Sequence, residues 1–346
     1  MANKKTAELM WQGLEVEHSV PKANTLRYLS GLLEEDIQRL KQAWSALPVK
    51  VRQKLAQTLA DLAEADFEMD FSAVFRLALN DEDATVRVSA IEGLCEDEDV
   101  RLVPQFVKMV KEDPAVPVRA AAAQALARFM LLGELDKIRP RPFEMALAAL
   151  NEAHANVNEN LEVRRRALES LAYTGLAGVP AMIEAAYRHP EEKMRISAVF
   201  AMGRSADKRW GKIVREELNS LLPEMRFEAT RACGELELRE AAQQLIELVE
   251  DVDPEVQEMA LWSLGQVGGD LARRALMRYV HSDSEALQNA AQAALDELEF
   301  FHGDLSTFFG PSPEFYGESD LSWKDEDEFD ADLEDESEEE DDLWLP

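Results

Sequence analysis

The chain has 346 residues, 46% of them hydrophobic, and a formal net charge of −32 from 69 Asp/Glu against 37 Lys/Arg. That acidity argues against non-specific nucleic-acid binding, which needs clustered cations for phosphate contacts. No run approaches the ~18 apolar residues of a membrane span, and Met1-Ala2-Asn3-Lys4-Lys5 is not followed by a signal-peptide core, so a cytoplasmic chain is expected.

Taken in chain order, residues 1–33 read as an N-terminal arm, after which the pattern becomes helical. Glu34–Leu47 is amphipathic, and Pro48-Val49-Lys50-Val51-Arg52 with Leu55 and Leu59 starts a second helix. That second helix then recurs. Val86-Arg87, Val118-Arg119, Val163-Arg164, Met194-Arg195, Met225-Arg226, Val256-Gln257 and Leu287-Gln288 mark successive copies, 31 residues apart from Val163 onward. Four and eight positions after each first residue come a small residue and a larger apolar one, as in Val256, Ala260 and Leu264. The i, i+4, i+8 spacing puts them on one helix face. Asp253-Pro254 opens such a helix, and Gly203, Gly234 and Gly265 are expected to end theirs with a positive φ. Before each marked helix stands another amphipathic stretch: Phe67–Leu79, Val179–Arg188, Trp210–Leu221, Glu240–Glu250 and Leu271–His281.

Neither helix of such a pair can bury its stripe alone, so neighbours must stack. The expected fold is all-α: a right-handed α-solenoid of about eight helical hairpins over residues 34–299. The one long interval, 45 residues from Val118 to Val163, is assigned to loops at Gly133–Pro142 and Asn151–Asn160. Residues 300–317, with Phe300-Phe301, Leu305 and Phe308-Phe309, read as a cap and linker. Residues 318–346 hold 16 acidic residues and one lysine, Lys324, and read as a disordered acidic tail.

The pattern Asp-Pro-x-Val-Arg-x-x-Ala-x-x-x-Leu-Gly at this period resembles HEAT repeats, in particular the short type named after phycobilin lyases. Asp253–Gly265, Leu222–Gly234 and Asp113–Leu126 carry it well, and Asp83–Leu94 in part. The resemblance covers roughly residues 47–299, and the whole pattern is similar to uncharacterised bacterial HEAT-repeat proteins. It implies that the marked helices line a concave face and that motif Asp and Arg side chains form a ladder between units. Asp83, Arg87, Arg119, Arg164, Arg195 and Arg226 are then structural, and the ladder weakens at Gln257 and Gln288.

The stripe turned away from the packed face is the candidate binding surface. Counted from the first motif residue, positions +3, +6 and +10 bring Arg166, Tyr173, Phe200, Arg204, Arg231, Met259 and Trp262 onto adjacent units. Aromatics, Met and Arg are enriched at interface cores, although each large side chain also suits wedging between helices. Trp323, Phe329, Leu343 and Trp344 space the tail as a recognition motif would. That tail is read as a second binding or autoinhibitory segment, against a purely solubilising role. The five histidines form no close-spaced pair and read as surface or loop residues. Cys95 and Cys233 read as two small buried hydrophobes, and no catalytic, metal-ligand or cofactor motif appears.

The reading that follows is a non-catalytic scaffold for a protein or peptide partner. Two alternatives stand beside it. One is a nucleic-acid-binding solenoid, using Arg164-Arg165-Arg166 and the mildly basic residues 160–231. The other is a bilin-lyase-like enzyme, suggested by the repeat subtype alone.

Overall fold

The computed structural model describes residues 2–302 apart from Phe67. Helix α1 (Ala2–Glu15) and the one-turn α2 (Ala23–Leu26) lead into eight helical hairpins among the described residues. They are α3 (Glu34–Ala46) with α4 (Val49–Ala65), α5 (Ser72–Ala78) with α6 (Ala84–Glu92), and α7 (Val103–Glu112) with α8 (Val116–Glu134). Next come α9 (Pro140–Ala155) with α10 (Leu161–Leu171), and α11 (Val179–Tyr187) with α12 (Glu192–Arg204). The last are α13 (Gly211–Glu217) with α14 (Pro223–Glu235), α15 (Ala242–Leu248) with α16 (Pro254–Val267), and α17 (Gly269–Tyr279) with α18 (Glu285–His302). None of these helices is long and apolar enough to cross a membrane.

The second helices form because their ends are satisfied locally. Asp83, Asn160 and Asp253 cap α6, α10 and α16 by accepting from N–H groups of the first turn. Pro stands in the first turn of α8, α14 and α16, where a missing N–H costs nothing. The motif positions then make the core. Val118, Ala122 and Leu126 are fully buried, as are Val163, Ala167 and Leu171. Successive second helices pack against one another along the whole array, whereas first helices touch closely at α7–α9 and only lightly at α3–α5 and α15–α17. The second helices therefore form the more closely packed of the two rows.

Residues 2–33, read as an arm, contain the packed helix α1. Its Met10, Trp11 and Leu14 are buried, Glu15 takes two hydrogen bonds from Arg39 at 2.5 and 2.6 Å, and the same guanidinium lies over Trp11. Both expected loops between Val118 and Val163 are present but short, at 135–139 and 156–160, because most of the extra residues are helical. They lengthen α8 to Glu134 and α9 to Ala155, so Asn151–Ala155 is helical. Gly203, Gly234 and Gly265 are not terminators with positive φ. The left-handed residues lie at +12, at Ala206 (φ 51°), Glu237 (φ 51°) and Gly268 (φ 63°). The three glycines instead face the next helix. A Cβ on Gly265 would sit 2.8 Å from Ala294 O, and one on Gly234 3.0 Å from Ser263 Cα. Cys233 is buried, but Cys95, expected to be buried as well, is exposed. Phe300, in the last turn of α18, is exposed (74%), and the expected cap beyond residue 302 lies outside the described residues.

The ladder is real, but its acid is not the capping residue. Arg87 pairs bidentately with Asp113 at 2.9 and 2.8 Å, and Arg226 with Asp251 at 2.7 and 2.7 Å. Arg52 meets Asp81, and Arg119 meets Glu159. Asp81, Asp113 and Asp251 all stand five residues before the first motif residue, where each also accepts from the backbone N–H two positions on. His189 and Ser220 hold that place in their units, with the same local contact. Across from them, Arg164 donates to the carbonyl of the half-buried His154, and Arg195 to carbonyls of its own turn; neither meets a carboxylate among the described residues. The ladder therefore opens in the middle of the array. At the end, Gln257 keeps only the carbonyl contact, to Asp251 O.

Two stability changes follow. Ser220→Asp restores an acid opposite Arg195 and is expected to stabilise the fold by about 1 kcal/mol, an effect absent in an Arg195→Ala background, as read by a double-mutant cycle in denaturant. Ala206→Gly relieves a left-handed alanine and is expected to add about 0.5–1 kcal/mol in the same assay.

Candidate functional site

Four successive second helices, α10, α12, α14 and α16, present the candidate stripe. Because each unit repeats the same register, side chains at +3, +6 and +10 fall next to each other across units. All seven named residues are half-buried. Five of them, Tyr173, Arg204, Arg231, Met259 and Trp262, line one cavity of about 590 Å³. Phe200 lies beneath it, with the Arg231 guanidinium 4.0 Å and the Arg204 guanidinium 5.6 Å from its ring centroid. Arg204 also stands 5.5 Å from the Tyr173 centroid, so its plane is held between two rings. Arg166 is not at the cavity. Glu162 and Glu169 hold it at 3.1 and 2.9 Å.

The same stripe carries carboxylates at +3 and +10, Glu228 and Glu235, which are not among the candidate binding residues. Glu235 lies 3.2 Å from Arg204 and 3.7 Å from Arg231, and Glu228 lies 2.6 Å from Arg231. These contacts are ion pairs without hydrogen-bond geometry, so both Glu235 oxygens and Nε and Nη2 of Arg231 remain buried without a hydrogen-bond partner. On α14, Glu228, Arg231 and Glu235 stand at i, i+3 and i+7, a spacing that sets them side by side. Gly203 and Gly234 were also missed as site residues. Both line the cavity, and a Cβ on Gly234 would come within 2.9 Å of Trp262 Cζ3. The absent side chain of Gly234 lets the Trp262 indole lie against α14, and that of Gly203 lets Ala232 and Glu235 of α14 approach α12.

Burial dominates the acid chemistry. It pushes the Glu228 carboxyl up to about 7, against the pull of Arg231 and with a further push from Glu169 and Glu235. Burial raises Glu235 as well, opposed by Arg231 and Arg204. Glu169 is bound by Arg165, Arg166 and the Ser197 hydroxyl, which extends the network back to α10. The site thus offers aromatic and thioether surface, one half-exposed cation in Arg204, and an acid–base network neutralised from within. Trp323, Phe329, Leu343 and Trp344 lie outside the described residues.

The folded pKa of Glu228 exceeds its unfolded value of 4.5, so the native state binds the extra proton between about 4.5 and about 7. Stability from this group is present below that window and is lost as pH rises through it, by up to about 3 kcal/mol. Glu228→Gln is expected to remove that pH-dependent loss. The check is the difference between the two stability curves from pH 4.5 to 8, which should grow in favour of the variant as pH rises.

Comparison with known proteins agrees with this architecture. The model of HEAT repeats matches residues 72–172 and 211–296, more than half of the chain. No curated protein matches the sequence significantly. Among solved structures, the complex of CpcE and CpcF of phycocyanin lyase from Nostoc sp. PCC7120 is similar with a TM-score of 0.50 at 16% identity, covering 76% of this chain and 94% of that one. Human deoxyhypusine hydroxylase matches at 18% identity and a TM-score of 0.35, covering 77% and 97%. Yeast importin-β (Kap95p) matches at 12% identity and a TM-score of 0.45, covering 85% and 46%. At these identities the likenesses speak for the fold alone. With its eight stacked hairpins, buried Val/Ala/Leu register and Arg–Asp ladder, the chain belongs to the HEAT-repeat family.

Proposed function

We propose that this chain is a non-catalytic adaptor that holds a protein or peptide segment along its row of second helices, anchored in the cavity between Tyr173 and Trp262. The observation that carries the reading is the convergence of Tyr173, Arg204, Arg231, Met259 and Trp262 on one cavity of about 590 Å³. Such a site suits a side chain with an apolar body and a polar end, the usual anchor of a peptide interface. The acidic residues 318–346 are a second binding segment in this reading.

A protein partner is favoured over nucleic acid by the state of the arginines. Arg166, Arg204 and Arg231 each face carboxylates at 3.2 Å or less, so little of their charge is available to phosphate.

The test is quantitative affinity capture with the full chain from its source cells. Trp262→Ala combined with Phe200→Ala is expected to lower recovery of the specific partner by at least about tenfold. Met277→Ala on the exposed face of α17 serves as the control and should leave recovery unchanged. Equal recovery by the groove variant, with its helicity and melting intact, would overturn the assignment.

A further inference from the structure

The ladder arginines share a two-part geometry. Arg87 turns Nη1 onto the carbonyls of Asp81 and Glu82, Arg119 onto those of Asp113 and Pro114, and Arg226 onto that of Ser220. This leaves the Nε/Nη2 edge facing the following unit. A carboxylate closes that edge with two parallel bonds in each case: Asp113 at 2.9 and 2.8 Å, Glu159 at 3.1 and 2.8 Å, and Asp251 at 2.7 and 2.7 Å.

Arg195 makes the first half of this arrangement. Its Nη1 donates to His189 O at 3.0 Å and to Pro190 O at 2.8 Å. The second half is missing. Among the described residues no atom accepts from Nε or Nη2. The position that supplies the acid in other units is Ser220, whose hydroxyl oxygen instead faces the N–H of Leu222 at 3.5 Å. Glu191 and Glu192 stand at the start of the same helix, and Glu216 and Glu217 at the end of α13, yet none is within ion-pair distance of Arg195. Glu217 accepts from the Tyr187 hydroxyl.

We infer that the Nε/Nη2 edge of Arg195 is a preformed oxyanion-binding site, open to the two oxygens of a carboxylate or a phosphate. A guanidinium fixed by carbonyls on one edge loses little freedom when the other edge is filled, and its planar fork matches both groups bidentately. The other units show what fills such a fork when the chain supplies the ligand itself. Here the ligand comes from outside the ladder. Leu221, 95% exposed and next to Ser220, gives a macromolecular donor an apolar foothold that a free ion does not use.

The site is tested by side-chain NMR on the full-length, ¹⁵N-arginine-labelled chain, with the Arg195 Nε–Hε resonance assigned by its loss in Arg195→Lys. Inorganic phosphate and acetate are titrated separately at constant ionic strength against chloride. A saturable shift with a Kd on the order of 10 mM is expected for the wild type, as suits one exposed bidentate pair. Ser220→Asp fills the fork from within, so its resonance should start displaced and no longer respond. Ser220→Asn, similar in size but uncharged, should respond as the wild type does. Tighter binding of phosphate points to a phosphoryl donor, and equal or tighter binding of acetate to an acidic side chain; either supports the site. An unsaturable drift in the wild type, or an unchanged titration in Ser220→Asp, overturns it.

Discussion

Everything in this array depends on how closely one second helix can lie against the next. Ala90, Ala122, Ala167, Ala198, Ala229, Ala260 and Ala291 are fully buried, and Gly203, Gly234 and Gly265 sit where even a methyl group would strike the neighbouring helix. Small side chains bring the backbones together, and the row of second helices packs more closely than the row of first helices. Hydroxyls then tie helix to helix: Ser170 donates to Ala123 O and Ser263 to Thr230 O, each at 2.8 Å. The cavity is a product of the same constraint, because Gly234, which permits close packing, also vacates the space beside Trp262.

The ladder works at the turns as the alanines work along the helices. A buried pair such as Arg226–Asp251 is costly to break, since removing one partner strands the other charge. It fixes the relative position of two units through groups that belong to the turns and not to the core. Where the acid is replaced, as at Ser220, the core still stacks but the turns are no longer pinned to one another.

Much of this was legible in the chain. The period, the Val/Ala/Leu register and the hairpin count are carried by residues whose burial dictates their type, so reading the type recovers the burial. The +3, +6 and +10 stripe was found by helical geometry, which is why five of its seven members meet in one cavity. What escaped depended on contacts between units. Asp83 was taken for a ladder acid because it stands in the motif, yet it caps α6 while Asp81 reaches Arg52. Nothing in spacing alone separates a carboxylate turned to its own helix from one turned to its neighbour. The glycines were misread because a helix terminator and a close approach have the same sequence signature, and only the position of the next helix tells them apart. Spacing puts Glu228 and Glu235 on the stripe, but it does not show that they are buried or that they neutralise Arg231 and Arg204.

In an array where each unit touches only its neighbours, rigidity is set link by link. Units joined by a closed Arg–carboxylate pair are tied at their turns, while the α12–α14 junction lacks that pair and is held by its packed helices, the Arg204–Glu235 ion pair and the Arg231–Phe200 contact. That junction is also a wall of the cavity, since Arg204 and Arg231 come from its two sides. The cavity therefore lies at a joint whose turns are not linked by a ladder pair. A segment bound there touches both sides of that joint, and so supplies from the groove the cross-unit contact that the turns lack.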